Sequence, residues 1–118
     1  LNIYDNLYTG DIVETLNSIQ ENFDLFVALD VLIYVGDVES IFKTIHKYSN
    51  HESVFVFSIE IQEKSGYSLL PSSRYSHSDS YIMNHAAGKF VLIKSEDIVL
   101  RKEGNNLING KIYIFKSI

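Results

Sequence analysis

Apolar and polar positions along the chain switch between two periods, and the switches mark its elements. Asn6–Thr9 reads as a short strand closed by Gly10-Asp11. Ile12, Val13, Leu16 and Ile19 then recur at close to helical spacing, which predicts a helix over Ile12–Ile19 that closes at Glu21-Asn22. Phe23–Leu29 (FDLFVAL) is almost continuously apolar, the pattern of a strand covered on both faces in a parallel sheet. Val38, Ile41, Phe42, Ile45 and Tyr48 form one stripe and predict a helix over Val38–Tyr48, with Asp37 at its N-cap. Ser53–Glu60 (SVFVFSIE) reads as a second buried strand. Residues 61–77 hold Gly66, Pro71 and several serines, and predict a long irregular excursion of the kind that often carries function. Ser76 or Ser78 is placed to cap a helix over Asp79–Ala87, and Gly88 to stop it. Phe90–Leu100 and Lys111–Lys116 predict two strands of an antiparallel hairpin that turns around Gly104-Asn105-Asn106.

That succession predicts a single α/β domain over residues 1–118, built in three layers, with parallel first strands and an antiparallel addition at the end. Composition agrees with a packed domain: 46% of residues are hydrophobic and 21% charged, so neither disorder nor low complexity fits. Eight Tyr and seven Phe provide the bulk for a core, and Phe55, Phe57, Tyr113 and Phe115 are expected there. A net charge of −5 with no basic run makes a nucleic-acid backbone an unfavourable partner. The lack of cysteine excludes disulfides, thiolate metal sites and a cysteine nucleophile. His46 and His51 have no third ligand in register, so no metal is expected, and the serines at 72, 73, 76, 78 and 80 form no G-x-S-x-G elbow. No apolar run reaches the roughly 18 residues of a membrane span, and no secretory leader opens the chain, so a cytoplasmic setting is expected. The chain opens on Leu1, which is compatible with a segment upstream or with trimming.

Gly10-Asp11 after a short strand, FDLFVALDVLIYVGD over Phe23–Asp37, SVFVFSIE over Ser53–Glu60 and a closing hairpin ending in KIYIFK resemble the second half of class I S-adenosylmethionine-dependent methyltransferases. The stretch Gly66–Ile82 (GYSLLPSSRYSHSDSYI) is most similar to bacterial members often fused to tetratricopeptide repeats. The resemblance implies a partial Rossmann-like methyltransferase sheet with a C-terminal antiparallel hairpin. The full sheet runs three, two, one, four, five, seven, six, and here its first strands are missing. Phe23–Leu29 would be the fourth strand, left with a bare apolar edge. The expectation is that another copy of the chain, a separately encoded N-terminal half, or a rearranged Leu1–Thr9 covers it.

The same resemblance assigns roles residue by residue. Asp11 matches the acidic position that accepts a hydrogen bond from the adenine amino group; it serves equally as a plain helix N-cap. Asp30 matches the position at the end of the fourth strand, near the methyl donor; the plainer reading is a solvated carboxylate at a strand end. Val31, Leu32 and Tyr34 would line the cofactor or substrate pocket. Arg74, Tyr75 and His77 fall where the substrate-side lid lies. There His77 is a general-base candidate or a surface histidine bonded within a loop. Arg74 is a clamp for an anionic group or a surface ion pair. The family's glycine-rich cofactor loop has no counterpart here, since Gly104 and Gly110 fall in the hairpin. The implied function is therefore methyl transfer from S-adenosylmethionine to an unspecified acceptor, provided the missing half is supplied. Three alternatives stay open: an inactive relic, a regulatory or oligomerising subunit that pairs through its sheet edge, and an unrelated small α/β binding module.

Overall fold

The computed structural model describes residues 11–118, so the expected strand at Asn6–Thr9 lies outside it. The chain runs α1 (Ile12–Ile19), β1 (Phe23–Ala28), a 3-10 turn (Leu32–Tyr34), α2 (Glu39–Lys47), β2 (Ser49–Ile61), β3 (Tyr67–Leu69), β4 (Tyr75–His77), α3 (Asp79–Ala86), β5 (Phe90–Glu103) and β6 (Asn106–Ser117). Local chemistry sets the helix ends. The Asp11 carboxylate accepts the Glu14 N–H at 3.1 Å, and Gln20 in the left-handed region closes α1. Ser78 caps α3 by accepting the Tyr81 N–H at 3.2 Å.

The six strands form one mixed sheet around β2. β1 pairs parallel to it from Leu25↔Val54 to Ala28↔Phe57. β6 pairs antiparallel on the other side, from Val54↔Lys116 to Glu60↔Gly110, and β5 lies outside β6. Where β1 stops, β4 takes its place beside β2 at Glu60↔Ser76 and Ile61↔His77. This is the partial Rossmann-like arrangement expected, with an antiparallel strand inserted between the second parallel strand and the last edge.

Two expectations change. Residues 61–77 are not wholly irregular: β3 and β4 form a small hairpin, Tyr67↔His77 to Leu69↔Tyr75. Three-residue strands are too short to show a period, and their pairing comes from β2. Of the three layers expected, the described residues build two. Phe55, Phe57, Ile59, Tyr113 and Phe115 on one face are fully buried, together with Phe42 of α2 and Ile82 of α3; Leu16 of α1 belongs to the same core. On the opposite face Val54, Val56, Ile112 and Ile114 are half-buried, and Leu25 and Val27 are exposed. No helix of the described residues is long and apolar enough to cross a membrane.

Candidate functional site

Ligands of open α/β sheets bind beyond the C-terminal ends of the parallel strands. Here those are the ends of β1 and β2. Asp30 stands just past β1 with φ +56, a left-handed conformation that turns the chain sharply out of the strand. The turn is tied to β2 through the Asp30 N–H, which donates to Ser58 Oγ at 3.0 Å, so the exposed carboxylate sits at a fixed place on the strand-end face. Tyr34 follows in the 3-10 turn and is exposed, whereas Leu32 is fully buried in the core and Val31 packs against it. Leu32 therefore supports the turn from below and has no surface to offer a pocket; its place in the sequence put it beside ligand-facing residues, but the tight turn points it inward.

Arg74, at the start of β4, reaches the same mouth. The Tyr34 hydroxyl and the Glu103 carboxylate hold its guanidinium firmly in the charged form, raising its pKa, and Glu103 lies 2.5 Å from Nη1. Glu103 in turn accepts from Arg101 Nε at 3.0 Å, and Arg101 Nη2 lies 2.6 Å from the largely buried Glu60. Arg101 first and Arg74 next hold the Glu103 carboxyl below its ordinary range. Glu60, Arg101 and Glu103 escaped the sequence reading. The available signal was Glu60 itself, a charge closing an otherwise apolar strand, which requires a cationic partner.

His77 is not the surface histidine that one of its two readings expected. It is fully buried, not at the surface, and its Nε2–H donates to the Val35 carbonyl at 2.8 Å and the Gly36 carbonyl at 3.0 Å. Its Nδ1 is buried without a partner. The imidazole thus clips β4 to the turn after Tyr34. Tyr67 and Tyr75 cover the same turn so closely that a Cβ on Gly36 would lie 2.6 Å from the Tyr67 ring and 2.7 Å from the Tyr75 ring. Tyr81 completes the lock: its hydroxyl accepts the Val38 N–H at 3.0 Å and donates to Asp37 at 3.3 Å, and burial first of all pushes its pKa up to about 12. So Tyr75 lies over the turn, His77 lies beneath it, and only Arg74 of the three lid residues presents charge to the mouth.

Burial holds the His77 pKa below 6.5. The folded state therefore binds this proton more weakly than the unfolded chain does. Stability from the neutral ring is complete above the unfolded value and is lost as pH falls below about 6.5, by up to about 1.4 kcal/mol per pH unit until the folded pKa is reached. His77→Gln should remove that part of the acid sensitivity. Urea titrations of both proteins at pH 8 and pH 5 measure it; equal pH dependence in the two would show that His77 is not its source.

A cavity of about 350 Å³ lies elsewhere. It runs between α1 and β1, lined by Ile12, Leu16, Phe26, Ala28 and other apolar side chains, with Thr15 as the only side-chain hydroxyl among the described residues that line it. A charged amino-acid or nucleoside group finds no partner there. The Asp11 carboxylate already accepts from the α1 backbone, so the capping role is the one the structure displays. Among the described residues no cluster of three His, Asp or Glu side chains could hold a metal.

No family model matches the sequence. No curated protein matches it either. Solved structures do match the fold. A S-adenosylmethionine-dependent methyltransferase from Methanosarcina mazei superposes with a TM-score of 0.64 at 14% identity, over 83% of this chain and 60% of that one. TehB from Haemophilus influenzae gives 0.66 at 21% identity, over 99% of this chain and 41% of its own. The N-methyltransferase NodS from Bradyrhizobium japonicum, in complex with S-adenosyl-l-homocysteine, gives 0.58 at 13% identity, over 82% and 47%. The chain thus has the fold of these methyltransferases and spans between 41% and 60% of their length.

Proposed function

We propose that this chain is the C-terminal half of a class I S-adenosylmethionine-dependent methyltransferase domain, whose cofactor site needs residues beyond 11–118. The observation that carries this reading is the strand order, with antiparallel β6 between β2 and β5, together with a polar mouth at the ends of the parallel strands. The cofactor, when bound, supplies an activated methyl group. The described residues fit only part of it. Asp30 and Tyr34 stand where a donor pocket would open, but the remaining described glycines cradle nothing: Gly66, Gly88 and Gly104 adopt positive φ in turns, and Gly36 and Gly110 are filled by neighbouring side chains. No step is therefore routed through the cofactor here.

The chain's own residues have positioning roles. Asp30 presents a carboxylate at the donor side, and Arg74 with Tyr34 presents a cation and a hydroxyl at the acceptor side. His77 and Tyr75 shape the turn between them, so His77 serves as a positioning residue and not a proton acceptor. The finer kinship with tetratricopeptide-associated bacterial enzymes rests on Gly66–Ile82, and a cytoplasmic setting suits both the composition and that kinship. The methyl acceptor stays unspecified by these residues.

A second reading is a non-enzymatic oligomerising or regulatory subunit, favoured by the engaged Asp11 carboxylate and by β1 pairing only with β2 among the described residues. Calorimetric titration with S-adenosylmethionine and S-adenosylhomocysteine separates the possibilities. The 118-residue chain alone should give no detectable binding. The chain extended by the segment encoded upstream should bind S-adenosylhomocysteine, and Asp30→Ala should weaken that binding roughly tenfold, the loss of one good polar contact. Micromolar binding by the chain alone would overturn the half-domain reading; no binding by the extended chain would favour the second.

A further inference from the structure

Four charged side chains from three strands meet at the mouth in alternating sign. Glu60 lies near the end of β2, Arg101 and Glu103 near the end of β5, and Arg74 stands at the start of β4. The pairing of β5 with β6, and of β6 with β2, carries the hairpin end to this point: Gly110 stands across from both Glu60 and Ile98. Glu103 Oε1 accepts from two guanidiniums at once, from Arg74 Nη1 at 2.5 Å and from Arg101 Nε at 3.0 Å. Arg101 in turn donates through Nη2 to Glu60 Oε1 at 2.6 Å, and Glu60 is only 8% exposed. An isolated surface Arg–Glu pair gives way readily to ions from solvent, because it gains little in a high dielectric. Glu103 differs from that case. Its carboxylate is held between two cations, one of them anchored on a buried carboxylate, so leaving Arg74 is costly.

We infer that Glu103 sets the charge selectivity of the acceptor side: it keeps Arg74 inside an internal ion chain, so that side takes an uncharged or cationic methyl acceptor and turns away carboxylate and phosphate groups. This deepens the proposed function and rests on its placing of Arg74 and Tyr34 at the acceptor side. Within the ion chain two guanidiniums face two carboxylates, so no net positive charge is left to attract an anion. An incoming phosphate must either displace Glu103 or sit within a few ångströms of it, where like charges repel. The exposed carboxylate of Asp30 adds a further negative charge, with no cation in ion-pair contact among the described residues. What a ligand meets instead is Tyr34, 65% exposed, whose hydroxyl stands against the Arg74 guanidinium. An aromatic face with a fixed hydroxyl, near a carboxylate, suits a neutral or positively charged group. Arg74 is thus a positioning residue for Tyr34, and Glu103 decides what Arg74 can bind.

Amide NMR titration of the 118-residue chain with inorganic phosphate, at neutral pH and fixed ionic strength, tests it. The unaltered chain should show no saturable shift at Tyr34, Arg74 or Tyr75. Glu103→Gln keeps the shape of the side chain and removes its charge. It should raise phosphate affinity at that spot at least roughly fivefold, the worth of one exposed ion pair released. Glu103→Gln combined with Arg74→Gln should lose the gain. Unchanged amide shifts away from the mouth confirm that each variant is folded. Glu103→Ala, at a side chain 42% exposed, gives the same reading should the glutamine variant not fold. Saturable phosphate binding at the mouth of the unaltered chain overturns the proposal. So does a Glu103 variant without a gain, or a gain that survives the loss of Arg74. The titration involves no cofactor, so S-adenosylhomocysteine binding by the extended chain judges the methyltransferase reading separately, and either can fail without the other.

Discussion

Phe42→Ala should lower the free energy of unfolding by about 3–5 kcal/mol, the range for removing a buried phenyl ring. Phe42 is fully buried on α2 and meets four other rings edge-on: Phe55 at 5.6 Å, Phe57 at 5.4 Å, Phe90 at 6.2 Å and Phe115 at 6.4 Å. Those rings come from β2, β5 and β6, so this one side chain fastens the helix to three strands. Its loss removes the transfer energy of the ring, leaves a cavity that a sheet cannot collapse into, and forfeits several edge-to-face contacts. A small domain holds roughly 5–15 kcal/mol in total, so the variant should lose between about a fifth and all of that margin. Phe42→Leu keeps most of the volume and should lose markedly less. Urea titration followed by circular dichroism measures both. A loss under about 1 kcal/mol for the alanine variant would mean that the aromatic cluster does not organise the core.

Gly110→Ala should cost about 1–3 kcal/mol or more, although it adds a single methyl group. Gly110 sits inside β6, opposite Glu60 on one side and Ile98 on the other. A Cβ there would lie 2.5 Å from the Ile59 carbonyl oxygen and 2.5 Å from Leu100 Cγ. The first of these is backbone at the centre of the sheet, so relief requires β2 and β6 to move apart. Glu60 and Arg101 flank this point, and their 2.6 Å contact is the base of the polar mouth. The variant should therefore show two linked effects: a lower unfolding midpoint, and faster amide exchange near Glu60 than in the rest of β2. A variant as stable as the parent, with unchanged exchange, would show that Leu100 can move aside and that the strands tolerate the methyl group.

The first and third helices were legible because each carries its own cap, and α2 from its apolar stripe, although Val38 and not Asp37 stands at its N-cap. Asp11 and Ser78 are side-chain acceptors placed before apolar stripes, and capping acts within four residues of chain. The strands β1 and β2 were legible because FDLFVA and SVFVFSIE are strongly apolar, but β1 is not covered on both faces as expected: Leu25 and Val27 are exposed among the described residues. The hairpin β3/β4 was hidden. Tyr75, Ser76 and His77 have no period of their own, and they become a strand only where β2 outruns β1 and offers free backbone groups. The mouth was half legible for the same reason. Asp30, Tyr34 and Arg74 were named from the family resemblance, while Glu60, Arg101 and Glu103 join them only through pairings that span tens of residues.

The sequence by itself determined most of the element types and the core aromatics, because apolar periodicity and capping are short-range effects, while the strand order was expected only from the family resemblance. Only the tertiary structure decided which way each candidate side chain points. Leu32 and His77 were expected at a pocket and are fully buried, because a tight turn and a two-residue pairing with β2 rotate them inward. Tertiary structure also revealed that all the described helices share one face. Alternation along a strand shows that it has two faces, but what covers each face depends on how the crossovers are placed, and that is a property of the assembled sheet.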